Sequence, residues 1–453
     1  MKQKMIYSSL FLCGTLTLMA QNVARVHRVG TPVAQTIAPA RMEAVTVDSL
    51  PNAVCTLSVQ DDSGAVQTLK VYADDQGQVR FHAQTNTETD NPASLHLRCE
   101  ADGQSMEHAV ELRANAAIAA ANAATSRARA RVRQAGRIRP ALVGDPMLPS
   151  QEELLSRGYP MRPDPEQAPE AYATWLRMVT TETTVVEAKT VTEPGRFHGF
   201  STTIPINVIR TLPSTGNSSN WSGFVIYQDP QVLDLNPPKP YDFVSAEWYV
   251  PGVTGELLVS DDSSFWVGMD GWGSKDVLQD GTTQQVLTIS LFGQQWALTT
   301  YYAWAEFFPL GEQRITNFVV NPGDHMLGQV WMGNAGSKPT LAGAFGVCLI
   351  YNLTTGTNTT VYITPPSGTT FSGNVAEWII ERPTVNGVLP DLSNYGTASM
   401  FNAYAKRSDG TVVYSNGNIY TLNLTMTNSS GTALSKVSRV NDSAMTFTWL
   451  GYK

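Results

Sequence analysis

Six histidines, His27, His82, His96, His108, His198 and His325, are scattered through the 453-residue chain. None is paired at metal-ligand spacing, and neither HExxH nor CxxC occurs, so no metal or other cofactor is expected. A serine triad needs a histidine base, and His325 in Gly323-Asp324-His325 has no GxSxG elbow to accompany it. Gly268, Gly271 and Gly273 precede no helix-forming run and no Lys-Ser/Thr pair, so they read as turn residues rather than a phosphate cradle. What remains is carboxylate and carboxamide chemistry. A glutamate, with a reference pKa of about 4.3, can take a proton from water in acid, where a histidine base would already be protonated.

Four motifs in order carry groups of that kind. They are Asn220-Trp221-Ser222-Gly223; Trp266-Val267-Gly268-Met269-Asp270-Gly271 followed by Val277-Leu278-Gln279-Asp280-Gly281; Tyr302-Ala303-Trp304-Ala305-Glu306-Phe307-Phe308-Pro309; and Ala376-Glu377-Trp378-Ile379-Ile380-Glu381-Arg382-Pro383. Their order and spacing resemble the eqolisin family of glutamic peptidases over about residues 210–453, with weaker agreement at Gly323-Asp324 and Ser399 to Ala405. The resemblance implies a catalytic dyad of Glu381 and Gln279, with supporting cleft residues at Trp221, Asp270, Trp304 and Glu306. It also implies a cofactor-independent acid endopeptidase acting on protein or peptide substrates. Ala305 departs from the family, which usually has a tyrosine there, and this bears on subsite shape.

The residue types suit the reaction. On a strand, Glu377, Ile379 and Glu381 share one face, with Trp378 and Ile380 on the other. Glu381 can act as base toward water and then as acid toward the departing amine. Gln279 can donate an amide N–H to the oxyanion without titrating, and losing such a donor costs roughly 100- to 1,000-fold in rate. Away from the motif set, Gln279 and Glu381 would read as surface residues, and Asp270 and Glu306 as structural partners. Two rival readings use the same residues: a glycoside hydrolase with Glu306 and Glu381 as its acid/base pair, and a carbohydrate-binding β-sandwich with a Trp-rich cleft.

The elements that must position these groups are strands. From about residue 200 the chain is rich in Ser, Thr, Asn, Gly, Trp and Tyr, with recurrent strand-like runs such as Trp221 to Tyr227, Gln285 to Phe292, Tyr301 to Phe308 and Val375 to Glu381. An all-β fold is expected: a large two-sheet antiparallel β-sandwich, jelly-roll or concanavalin-like, at 201–453. Short alternating segments at 45–114 predict a small immunoglobulin-like β-sandwich, a prodomain, with Cys55 and Cys99 bridging its sheets. Residues 115–200 read as an Ala/Arg-rich helix and a Pro-rich prosegment or linker, with one short helix near Glu170 to Val179. Within it Arg127, Arg129, Arg131, Arg133, Arg137 and Arg139 have two readings: a solvated linker, or a cap that pairs with ionised cleft carboxylates and lets go in acid, which would make the prosegment an intramolecular inhibitor.

Composition frames the compartment and the partners. Residues 1–20, with Lys2 and Lys4 before an apolar stretch, resemble a signal peptide, followed by a linker at 21–44. Secretion is expected, to the periplasm if the source is Gram-negative, with no membrane association after signal removal. A formal charge of −8 argues against nucleic acid as a partner, and a monomer is expected. Cys348, in the apolar run Phe345 to Tyr351, reads as a buried free thiol. Residues 200–453 carry only 11 basic and 18 acidic side chains. Few ion pairs are therefore lost when carboxylates protonate.

Overall fold

A computed structural model describes residues 26–116, 136–200, 214–227, 239–333, 344–369, 371–415 and 420–453. The expected signal peptide, most of the Ala-rich helix and Arg127 to Arg133 lie outside these. The described chain is almost entirely β-structure, as its period-two patterning predicts, and its core is a two-layer sandwich.

The front layer runs Gln294–Phe308, Val277–Leu291, Ser260–Asp270, Val375–Glu381, Trp221–Tyr227 and Thr421–Thr427, each antiparallel to the next. The back layer contains Ala444–Trp449, Thr397–Arg407, Tyr241–Tyr249, His325–Gly333, Phe345–Asn352 and Thr357–Ile363. Ala433–Asn441 pairs with a strand of each layer, so the ladder continues around one edge. Alternation of side chains sends Phe265, Val267, Leu278, Ala303, Ala305, Trp378 and Ile380 into the core between the layers. Cys348 is buried there as a free thiol. The intervening residues, including Trp221, Trp266, Tyr302, Trp304 and Ile379, form a second cluster on the opposite face of the front layer.

The N-terminal module begins earlier than expected. Val26–Val29 and Val33–Ile37, in the stretch read as linker, pair in parallel with Gln104–Ala114. The sheet continues through Thr89–Ala101 and Val54–Gln60 to Val66–Tyr72. Cys55 and Cys99 are joined by a disulfide. They are directly opposed on neighbouring strands of one sheet, so the bond staples a ladder instead of bridging two sheets.

The module is not a separate bead. Its second layer, Glu43–Asp48 with Gln78–Thr85, pairs directly with the front layer, Thr85 to His82 lying against Trp296 to Thr299. Leu287, Ile289, Leu291, Trp296 and Leu298, from the far half of the long front-layer hairpin, join Leu57, Val71, Phe81 and Leu97 in one core. The hairpin turns at Phe292 and Gly293, both with positive φ, 53° and 71°, the geometry that matches strand twist. Asp62 of the module accepts hydrogen bonds from both turn N–H groups, at 2.6 and 3.0 Å.

Between module and sandwich, the helices Gln151–Ser156 and Pro169–Val179 pack Leu154, Trp175, Met178 and Val179 onto Leu327, Leu349 and Tyr351 of the back layer. Thr183–Glu187 then adds a strand beside Thr357–Ile363, and Thr190–Thr192 pairs with Gln313–Val319. At Gly195 (φ 76°) the chain turns toward the front face. The positive φ favours glycine at this bend, and an added Cβ would lie 2.4 Å from Asn386 Oδ1, so that side chain would have to shift.

Candidate active site

The front layer places its polar residues by register. Gln279 lies opposite Glu306 on one side and Gly268 on the other, Gly268 opposite Glu377, and Glu381 opposite Trp221 and Ser264. Gly268 is in mid-strand, which corrects its reading as a turn residue. A Cβ there would sit 2.9 Å from the Trp266 ring and 3.1 Å from Gln279 Cβ, so the glycine makes room for those two side chains. Gly271 and Gly273, at φ 100° and 79°, do lie in the turn that follows.

The groups converge on a segment of the chain itself. His198 is completely buried, its ring stacked on Trp304 at 3.7 Å and 5°. Its Nδ1 is 3.1 Å from Glu381 Oε2 and its Nε2 2.6 Å from Glu312 Oε2. Trp266 Nε1 and Asn220 Nδ2 donate to the two Glu381 oxygens at 2.9 and 3.0 Å. The Gln279 amide donates to the His198 carbonyl and, at 3.2 Å, to Glu306 Oε2. That same Glu306 oxygen accepts the His198 backbone N–H at 2.9 Å. Arg196 pairs with Glu312 at 3.2 Å and with Asp262 at 2.7 Å. Glu381 and Gln279 therefore meet on one residue, the first on its ring and the second on its backbone.

Removal from water governs the electrostatics. Burial disfavours a charged His198, but hydrogen bonds to Glu312 and Glu381 outweigh it and raise the imidazole pKa to about 9. Burial pushes Glu306 up to about 8, against the nearby His198 charge. It would do the same to Glu312, yet Arg196 and His198 hold that carboxyl below its ordinary range. Burial also lifts Asp261 to about 7, and Asp280 and Glu377 well above the usual carboxylate range.

A pH dependence of stability follows. A carboxyl raised in the folded state contributes stability below its unfolded pKa, and that stability is lost as pH rises through the folded value. For Glu306 and Asp261 the loss falls between about 4 and 8. His82, which burial holds at about 4 against an ordinary 6.5, and the depressed Glu312 act in the opposite sense as acid increases. The melting temperature is expected to rise as pH is lowered from about 8 toward 6. Thermal unfolding across that range checks it, and a melting temperature that falls on this descent contradicts it.

Of the residues expected at the site, Trp221, Gln279, Trp304, Glu306 and Glu381 are brought together. Trp221 packs edge-on against Trp266 and Phe200, at 4.8 and 5.0 Å. Asp270 stands apart: its carboxylate accepts from the backbone N–H groups of Ser372, Gly373 and Asn374 and from the Ser372 hydroxyl, anchoring that loop. Ala305 points into the inter-layer core, in register with Asp280, so this departure from the family lies on the face away from the cleft.

The expected arginine cap is corrected for its described members. Arg137 and Arg139 lie on an edge strand against Thr183–Glu187. The buried Arg139 guanidinium serves Gly158 O, Met178 O and Thr183 Oγ1. Arg196 and His198 occupy the cleft instead. Sequence reasoning gave no role to His198, Arg196, Glu312 or Asp262, none of which lies in the four motifs. Asn220 and Trp266 do lie in them, and their position in the motifs was the available signal.

The profile of the Peptidase A4 family matches residues 219–449. No curated protein sequence matches the chain. Among solved structures, scytalido-glutamic peptidase with a transition-state analogue inhibitor aligns at 20% identity, covering 51% of this chain and 98% of that one, with a TM-score of 0.40. SCP-B, an eqolisin solved with the tripeptide Ala-Ile-His, aligns at 20% identity over the same shares, with a TM-score of 0.37. Aspergilloglutamic peptidase from Aspergillus niger aligns at 24% identity over 42% of this chain and 99% of that one, with a TM-score of 0.33. With the family profile spanning half of the chain and all four motifs in place, the protein belongs to the Peptidase A4 family, the eqolisin glutamic peptidases.

Proposed function

We propose that the chain is an exported, acid-acting endopeptidase in which Glu381 activates water and Gln279 stabilises the tetrahedral oxyanion. The observation that carries this reading is that a buried carboxylate and a buried carboxamide converge on one extended peptide, the carboxamide donating to its carbonyl. Contacts to a backbone carbonyl and N–H suit a peptide substrate rather than a sugar. Glu381 takes a proton from the attacking water and returns it to the leaving amine. Gln279 is uncharged, so its donor is available at every acidic pH. Acid operation is supported by the raised buried carboxyls, and export by the Cys55–Cys99 disulfide, a bond that persists in oxidising compartments.

Gln279→Ala is expected to lower kcat on denatured protein by roughly 100- to 1,000-fold with little change in KM, because the lost donor acts mainly on charge that develops in the transition state. Hydrolysis at acid pH is expected to resist inhibitors aimed at paired aspartates, at serine and at metals. Wild-type kcat in the Gln279 variant would remove the dyad.

A further inference from the structure

The chain lies in its own cleft as a substrate would. Arg196 and Phe197 pair antiparallel with Val385 and Thr384. The His198 carbonyl faces the Gln279 amide, the His198 N–H faces Glu306, and the Gly199 carbonyl accepts from Asn220 Nδ2 at 2.8 Å. Phe197 contacts Phe308 edge-on at 6.1 Å, and Phe200 sits against Trp221 and Trp272 at 5.0 and 4.4 Å. Protein side chains thus grip the backbone on both sides of a single peptide bond. Its second residue must be small, since a Cβ on Gly199 would lie 2.8 Å from the Phe308 ring.

We propose that residues 193–200 are the enzyme's first substrate, that the bond it cuts in its own chain is His198–Gly199, and that the His198 ring latches Glu381 until acid releases it. The inference rests on the reading of Glu381 and Gln279 as the dyad. In the step, Glu381 removes a proton from water as the water oxygen bonds to the His198 carbonyl carbon. The carbonyl electron pair moves to its oxygen, beside the Gln279 N–H. When the carbonyl re-forms, the C–N bond breaks and Glu381 passes the proton to the Gly199 nitrogen. One water is consumed, leaving a carboxyl terminus at His198 and an amino terminus at Gly199.

The latch is built from charges that acid alters unequally. Glu381, Glu312 and Glu306 contact His198; Arg196, Tyr302 and Arg314 surround Glu312; and Asp262 pairs with Arg196. The imidazolium's contribution is complete below its unfolded value of 6.5 and lost as pH rises through about 9. That of Glu312 is present above its unfolded value of 4.5 and lost as pH falls through its lower folded value. The latch is therefore tightest between those two unfolded values and weakens on the acid side, where Glu312 neutralises and the charged Arg196 and His198 lose the carboxylate they share.

The test uses the full chain purified near neutral pH and shifted stepwise into acid, with intact mass and N-terminal sequence read alongside hydrolysis of added denatured protein. A new terminus at Gly199 is expected in the wild type and none in Glu381→Gln. His198→Ala is expected to move half-maximal conversion up by about one pH unit or more, as is His198→Gln, which keeps a polar side chain of similar reach should the alanine variant not fold. Hydrolysis of added protein with a new terminus elsewhere overturns the bond assignment and leaves the dyad standing. Loss of both activities in the wild type overturns the dyad and the inference together. Conversion at an unchanged pH in a folded His198 variant overturns the latch.

Discussion

Replacing Glu381 by glutamine is expected to lower acid proteolysis by about 100- to 10,000-fold, the range that a positioned general acid–base supplies. The amide nearly matches the carboxylate in shape, so Trp266 Nε1 or Asn220 Nδ2 keeps an oxygen acceptor, but it cannot take a proton from water. The loss should fall on kcat, measured on a denatured protein or peptide in acid, with KM nearly unchanged. Folding should respond as well. At neutral pH the wild-type carboxylate pairs with a buried imidazole, and removing one partner of a buried ion pair costs about 3–5 kcal/mol. Glu312 continues to hold the other ring nitrogen at 2.6 Å, so the low end is expected. Thermal melts near pH 7 should show that deficit. Wild-type kcat in a folded Glu381→Gln protein would end the proposed mechanism.

Removing residues 26–116 is expected to leave an insoluble catalytic region. Leu287, Ile289, Leu291, Trp296 and Leu298 complete the core of the N-terminal module from the far half of the hairpin that carries Gln279, Trp304 and Glu306. Burying each such side chain contributes about 1.5–3 kcal/mol. Together they contribute on the order of 10 kcal/mol, comparable with the entire stability of a typical domain. The truncation would also strip the Thr85 to His82 ladder from the Trp296 strand and leave an exposed apolar edge. Soluble yield and melting temperature against the full chain provide the check. A soluble truncated protein with an unchanged melting temperature would show that the module is dispensable. For the same reason, a chain cut between His198 and Gly199 is expected to keep its N-terminal part attached through that ladder and through the Thr183–Glu187 and Thr190–Thr192 strands.

Much of the fold was legible in advance. Short runs of alternating apolar and polar residues read as strands because a pleated backbone sends successive side chains to opposite faces. That parity placed Glu377, Ile379 and Glu381 together and Trp378 and Ile380 apart, as the two clusters on either side of the sheet show. The helix expected near Glu170 to Val179 occupies Pro169–Val179, with proline at its first turn. Less was legible where a residue's role depends on remote neighbours. Gly268 reads as a turn residue beside Gly271 and Gly273, until the Trp266 ring and Gln279 are seen to leave no room for a Cβ. Asp270 reads as a cleft acid until the backbone of residues 372–374, about a hundred positions later, closes around it.

By itself, then, the sequence determined the all-β class, the ordered motif strands, the family, and which face of each strand its side chains share. These depend on local backbone geometry, which is written into consecutive residues. Tertiary structure alone decided that Ala305 faces the core, that the hairpin tip completes the N-terminal module, and that His198 reaches Glu381 from 183 positions away. Those outcomes depend on which distant surfaces exclude water from one another, and the buried charges of the cleft acquire partners only when the chain has closed on itself.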